Sequence, residues 1–167
     1  PYFPGFRFYG LGSGMVVLVR GEAYGIEPDM FKDIIRDRSV MLKIGDDRLR
    51  LLLVDVVSDP LVSREPAFDR IPFLLEKHGA VPTILAGDFN TPPDSVHVDR
   101  LRALMTNAFD ARGSGYRESW PVFTPVLGLD QMWGDSNIEW HRCELGWSLH
   151  SDHRPVIAEF SVKRRST

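Results

Sequence analysis

Short apolar runs broken by glycine, proline and acidic turns set the rhythm of this chain. Met15 to Arg20 (MVVLVR) is β-branched and apolar, lies between Gly14 and Gly21, and predicts a buried strand. Residues 21–37 predict a loop. Val40 to Ile44 and Arg48 to Val57 then flank Gly45-Asp46-Asp47, two apolar runs about a tight-turn composition, which predicts a hairpin. Ser63 and Pro66 mark a helix start, and Phe68, Ile71, Leu74 and Leu75 recur at helical spacing up to Gly79, with Pro72 expected to kink the helix. Thr83 to Gly87 (TILAG) predicts another buried strand, running into the loop Asp88-Phe89-Asn90-Thr91-Pro92-Pro93. A second helix is predicted from Ser95 to Met105, burying Val98, Leu101, Leu104 and Met105. Glu118 to Phe123, Leu127 to Trp133, Ile138 to Trp147 and Pro155 to Val162 predict strands between polar turns, and Lys163 to Thr167 a frayed basic tail. The order is mixed α/β, without an internal repeat.

The composition narrows the classes. At 167 residues, 43% hydrophobic and 26% charged, a single domain over 1–167 with a real core is expected. A net charge of -3 removes any global electrostatic reason to expect a nucleic-acid coat protein or a polybasic membrane binder, so anion binding has to be local. Arginine supplies 16 of the 20 basic residues; its fork suits phosphate, but a compositional bias explains the excess more simply, and it carries no functional weight. Cys143 is the single cysteine, which excludes an internal disulfide framework and a cysteine-cluster metal site. The longest apolar runs fall far below the roughly 20 residues that span a bilayer, so no membrane span is expected. Pro1 to Phe6 offers no initiator Met and no signal-peptide pattern, and the expectation is a piece of a longer chain.

Three polar clusters sit where apolar strands begin or end. In Gly87-Asp88-Phe89-Asn90, Asp88 and Asn90 are two apart and project from the same side at the mouth of a sheet. The carboxylate can take a proton from water and the amide can donate to a phosphate oxygen; an Asx-turn capping the strand is the plain alternative. Ser151-Asp152-His153-Arg154-Pro155 places a carboxylate beside an imidazole, able respectively to bind a hard cation and to act near neutral pH. On its own such a pair is more often a surface turn. Asp130 is a carboxylate in an otherwise apolar stretch, where an unpaired charge is expensive. His153 is its expected partner, since a carboxylate against one ring nitrogen fixes the tautomer and supports an imidazolium; a capped strand end is the competing reading.

In the order Gly-Asp-Phe-Asn, Leu-Asp, Ser-Asp-His, these clusters closely resemble the endonuclease/exonuclease/phosphatase superfamily, from about Gly12 to Phe160. The resemblance implies a four-layer α/β sandwich, two mostly antiparallel sheets face to face with helices outside, its amino-terminal strands missing here. It implies that Asp88 orients or deprotonates the attacking water, and that Asn90 holds that water and a phosphate oxygen. Asp130 would polarise His153, His153 would contact the scissile phosphate, and Asp152 would help hold a divalent cation, usually magnesium, with manganese as the substitute. The implied substrate is a phosphate mono- or diester: nucleic acid, phospholipid or small phosphorylated metabolite. Arg64 resembles an arginine often seen early in the helix before Gly-Asp-Phe-Asn but is given no catalytic role. The stretch Gly113 to Pro121 resembles a bacterial branch.

The departures are informative too. Ser58-Asp59-Pro60 stands where many relatives place a phosphate-contacting His or Asn, and either Ser58 or Asp59 would have to substitute. The Asn or Asp and the Glu that relatives supply as metal ligands come from strands before Met15 to Arg20, and neither Glu22 nor Glu27 lies in the matching context. Two readings therefore stand: a metal-dependent phosphoesterase acting by activated-water attack, or an incomplete or degenerate non-catalytic module binding phosphate or a partner. No Gly-x-Ser-x-Gly elbow supports a serine hydrolase. Gly10 to Gly14 lacks the Lys-Ser/Thr and helix of a phosphate loop, and reads as a plain loop. Without amino-terminal strands a sheet edge or apolar face is expected to be bare, which predicts self-association.

Overall fold

The computed structural model describes residues 3–27, 34–77 and 79–163. Its strands are β1 (Arg7–Gly12), β2 (Met15–Val19), β3 (Glu22–Tyr24), β4 (Ile35–Ile44), β5 (Asp47–Val56), β6 (Thr83–Asp88), β7 (Thr106–Asn107), β8 (Asp130–Gly134), β9 (Ile138–Leu145) and β10 (Val156–Val162). Its helices are α1 (Glu65–Glu76), α2 (Asp99–Arg102) and α3 (Ala108–Arg112). Six strands form the central sheet in the order β3-β4-β5-β6-β8-β7, while β1-β2 and β9-β10 form two-stranded antiparallel sheets. The hairpin β4-β5 turns at Gly45, whose φ of 61° is the left-handed conformation a tight turn asks for. β5 and β6 are parallel, joined by a crossover through α1, and β6 and β8 are antiparallel.

Residues alternate between the two faces of the central strands, and both faces are apolar, which is why these strands read as nearly continuous hydrophobic runs. Leu52, Val54, Val56 and Leu85 face Ala67, Phe68, Ile71 and Leu74 of α1, with Val98, Leu101 and Met105 completing that core. Val40, Leu42, Ile84 and Ala86 face the other way, against Leu11, Val17 and Val19 of β1-β2 and Ile138, Trp140 and Cys143 of β9. The mixed α/β sandwich therefore has α1 and α2 on one face of the central sheet, and β1-β2, β9-β10 and α3 on the other. Arg50 of β5, 1% exposed, ties two layers together: its guanidinium donates to the carbonyls of Leu74 (2.9 Å) and Leu75 (3.2 Å), the unpaired groups at the end of α1.

Several elements differ from the sequence expectation. The stretch 21–37 contains β3 and the start of β4, although residues 28–33 lie outside the described residues. β3 was illegible because it is short and polar; it forms through backbone pairing with β4, at a point where a side chain on Gly21 would meet the Lys43 carbonyl at 2.1 Å. Gly10 to Gly12, expected as loop, lies within β1, and the turn into β2 has positive φ at Gly12, Ser13 and Gly14. β2 is buried on one face only: Val16 and Leu18 point outward. The helix expected over Ser95 to Met105 is a 3-10 turn (Val96–Val98) and the short α2, with Leu104 exposed. Between 118 and 127 the chain is a loop pinned by one bridge, Trp120 to Leu127. α1 is continuous through Pro72, with Arg64 at the N-cap and Ser63 Oγ accepting from Glu65 N one residue further out. Of the expected basic tail, residues 164–167 lie outside the described residues.

Candidate functional site

Strand register builds the site. Asp55 of β5 pairs with Asp88 of β6, and Asp88 pairs with Asp130 of β8, so three carboxylates form a row across the sheet at the ends of these strands. Close packing makes the β6 position possible: a Cβ on Gly87, whose φ is 148°, would lie 1.8 Å from the Val54 carbonyl. Phe89 is fully buried in the α1 core and its amide donates to the Leu129 carbonyl at 2.9 Å, so the residues on either side of it are held at the sheet mouth.

Asn90, at φ 46°, clamps Asp88. Its backbone amide donates to Asp88 Oδ1 at 2.8 Å and its side-chain amide donates to Asp88 Oδ2 at 3.1 Å and to the Val56 carbonyl at 2.8 Å. Both amide hydrogens are thus committed, so a ligand meets the acceptor oxygen of Asn90; the donation to phosphate expected from sequence has no free hydrogen in this arrangement. Asp130 Oδ2 and His153 Nδ1 are 2.7 Å apart, which orients the ring and directs Nε2 away from the carboxylate. Asp88, Asp130 and His153 each place one ligand atom within 4.8 Å of the others. Asp152 stands outside that group: it is exposed, and its Oδ2 accepts from the Trp120 indole at 3.2 Å.

Three positioning residues carried no recognisable sequence signal. Ser119, fully buried, accepts on Oγ from the amides of Leu129 and Asp130, both at 3.0 Å, and so fixes the start of β8. Gln131 donates to the Thr91 carbonyl at 2.8 Å, tying the 88–93 loop to β8. Arg154 is 5% exposed and donates to the carbonyls of Leu145, Gly146, Tyr116 and Glu118, gathering two loops around the turn that carries His153. A serine inside a polar loop and an arginine after a histidine are too common to single out; their role depends on which loops meet. Of the residues weighed as substitutes, Asp59 Oδ1 accepts from Leu61 N in an Asx-turn, and Ser58 is exposed. Glu22 pairs with Arg7 and Glu27 with Lys77.

The electrostatics favour a cation. Burial is the main cause raising the Asp88 carboxyl above its ordinary range; the Asn90 amide opposes it, and the charges of Asp130 and Asp55 add to it. At His153 burial works against the charged ring, but the hydrogen bond to Asp130 and the charges of Asp130, Asp88 and Asp152 outweigh it, and the net shift is upward. Carboxylates opposite one another on adjacent strands repel. Asp88 and Asp130 offer acceptor-only oxygens suited to a hard divalent ion, which keeps its remaining positions for water and phosphate oxygen. The donor set fits such an ion.

Among solved structures, the chain is similar to D. rerio TDP2 complexed with single-strand DNA product (TM-score 0.74, 13% identity, covering 95% of this chain and 78% of that one). It is also similar to a mannosyl-6-phosphatase from Bacteroides thetaiotaomicron (TM-score 0.70, 12% identity, 95% and 78%). A protein of unknown function from Enterococcus faecalis matches with TM-score 0.67 and 14% identity over 95% of this chain, which spans 66% of that longer structure. At such identities the likeness speaks for the fold. No curated protein sequence matches. A family model matches residues 1–153, nearly the whole chain, and with it the Gly-Asp-Phe-Asn and Ser-Asp-His segments just described. The chain belongs to the endonuclease/exonuclease/phosphatase family.

Proposed function

We propose that this chain carries the catalytic face of a divalent-cation-dependent phosphoesterase that hydrolyses a phosphate mono- or diester by attack of an activated water. The observation that carries the reading is the Asp130–His153 pair at 2.7 Å beside an Asp88 carboxylate held on both oxygens by Asn90. Asp88 takes the proton of the attacking water, a task its raised proton affinity suits. Asn90 presents its acceptor oxygen to the same water. His153, paired through Nδ1 to Asp130 and with its proton affinity raised by that pairing and the nearby carboxylates, directs Nε2 to a non-bridging phosphate oxygen and, when protonated, stabilises the charge that builds there. Asp88 and Asp130 would hold the cation, with Asp152 contributing from the rim, and magnesium or manganese there would neutralise phosphate charge. The substrate is a phosphoester of nucleic acid, phospholipid or a small metabolite; the relatives named above include a protein in complex with DNA product and a phosphatase for a phosphosugar.

The test is magnesium-dependent release of nitrophenol from bis-nitrophenyl phosphate, followed by a phosphoester panel with magnesium and manganese. Turnover lost in Asp88→Ala and His153→Ala supports the reading; no turnover with either cation overturns it. One observation favours the alternative of a binding module without turnover: the donors of Asn90 are spent inside the protein. Saturable phosphate binding with no product would select that alternative.

A further inference from the structure

Between the loop before α1 and the loop after β6 lies a cavity of about 470 Å³. Asn90 forms part of its wall, so it adjoins the proposed reaction centre. Its chemistry differs from that centre: among the described residues no Asp or Glu lines it, whereas Ser63, Arg64, Thr91, Ser95 and His97 do. The Ser63 and Ser95 hydroxyl oxygens accept from the amides of Glu65 and His97, which leaves each O–H free to donate. The cavity also meets the N-terminal end of α1, a helix of 12 residues whose dipole favours negative charge.

A second, independent observation points to a ligand. Among the described residues the buried polar side-chain atoms without a hydrogen-bond partner are Arg64 Nε and Thr91 Oγ1, and both residues line this cavity. Thr91 is 3% exposed. Buried polar groups are ordinarily satisfied, and two left open on residues that line one cavity mark a place where a partner belongs. Among the described residues the Arg64 guanidinium makes one long hydrogen bond, Nη2 to the Ser58 carbonyl at 3.4 Å, so it is weakly held where it stands.

We propose that this cavity receives a second, non-scissile phosphate group of the substrate, bound by the Arg64 guanidinium and the Thr91 hydroxyl. The proposal rests on the phosphoesterase reading for the word substrate; the anion site itself does not. The bound group is the same whether it belongs to a neighbouring nucleic-acid linkage or to a monoester on a small metabolite.

Two measurements test it. Inorganic phosphate titrated into cation-free protein labelled at arginine nitrogen should move the Arg64 Nε–H resonance saturably, with the response weakened in Thr91→Val; an unmoved resonance overturns the proposal whether or not the protein turns over any ester. With magnesium, a dinucleotide with and without a terminal phosphate, and a glycerophosphodiester with and without a second phosphate, are compared by kcat/KM. A preference of about tenfold for the doubly phosphorylated member is expected in at least one arm, which identifies the source, and should collapse toward unity in Arg64→Gln and in Thr91→Val. No preference in either arm, or a preference that survives both substitutions, overturns it. Absence of all turnover removes the phosphoesterase reading, and the titration then decides the anion site alone.

Discussion

At the scale of single residues, the site is made of groups whose proton affinities are pulled in useful directions by named neighbours. Asp88 is raised chiefly by burial, with Asp130 adding to it, so in the cation-free protein its carboxyl is expected to titrate above the ordinary carboxylate range near 4, which carboxyl carbon-13 shifts followed against pH would check. His153 is raised, against the effect of its own burial, by Asp130 and the surrounding carboxylates, so the alkaline limb is expected above the ordinary histidine value near 6.5. Measured kcat/KM against pH should fall through that alkaline limb, and a profile flat from neutrality upward would contradict the role given to His153. The same shift has a stability consequence. A histidine whose folded pKa exceeds its unfolded one stabilises fully below about 6.5 and loses that contribution as pH rises through the folded value. Chemical denaturation of the cation-free protein between pH 6 and 9 should show stability falling with pH, with a shallower slope in His153→Gln. Ser119 is a positioning residue: Ser119→Ala leaves the amides of Leu129 and Asp130 without their acceptor, at a cost of about 1–3 kcal/mol. We expect kcat to fall roughly tenfold through misplacement of Asp130 with KM little changed, and loss of stability without any kinetic effect would assign Ser119 to folding alone.

Among the elements, the crossover from β5 through α1 to β6 decides where Asp88 ends up. α1 has apolar residues on one face, but its last carbonyls depend on Arg50, 24 residues before Leu74 in sequence and adjacent in space. Arg50→Met keeps much of the volume and removes all donors, leaving the Leu74 and Leu75 carbonyls unsatisfied; a loss of about 2–4 kcal/mol in urea denaturation is expected, and a change under about 0.5 kcal/mol would show that water substitutes freely. The elements most legible in the sequence were those with strong periodicity and clean punctuation: the β4-β5 hairpin, α1, β6, β9 and β10. The weakly patterned ones went unread. β3 and β1 owe their existence to partner strands rather than to side-chain pattern, and the Ser95 to Met105 segment had helical spacing yet broke into two short turns. Trp120 to Leu127 carries strand-forming residues, but it is held as a loop by Ser119 and by Asp152, whose carbonyl accepts from Val122 N at 2.7 Å.

For the molecule as a whole, the central sheet is covered by α1 and α2 on one face and by two small sheets with α3 on the other, and no helix among the described residues is long and apolar enough to cross a membrane. The β1-β2 sheet turns one apolar face outward: Phe8 is 67% exposed, Val16 48% and Leu18 39%, with Phe8 and Leu18 paired in register. Water-facing apolar strands adhere to one another, so sizing chromatography of the chain is expected to show concentration-dependent association, reduced in Phe8→Ser with Leu18→Lys; a dilution-insensitive monomer would refute this. What the sequence determined by itself is local: apolar period, turn residues and the short polar motifs at strand ends, which together made the mixed α/β class readable and singled out Asp88, Asn90, Asp130, Asp152 and His153 as candidates. What tertiary structure decided is which of these meet. Register across β5, β6 and β8 set Asp55, Asp88 and Asp130 in one row, the fold over Ser119 and Arg154 brought His153 onto Asp130, and Asp152, adjacent to His153 in the chain, faces Trp120 instead. Side-chain pattern is dictated by neighbours along the chain, whereas convergence depends on strand pairing and loop closure between residues tens of positions apart.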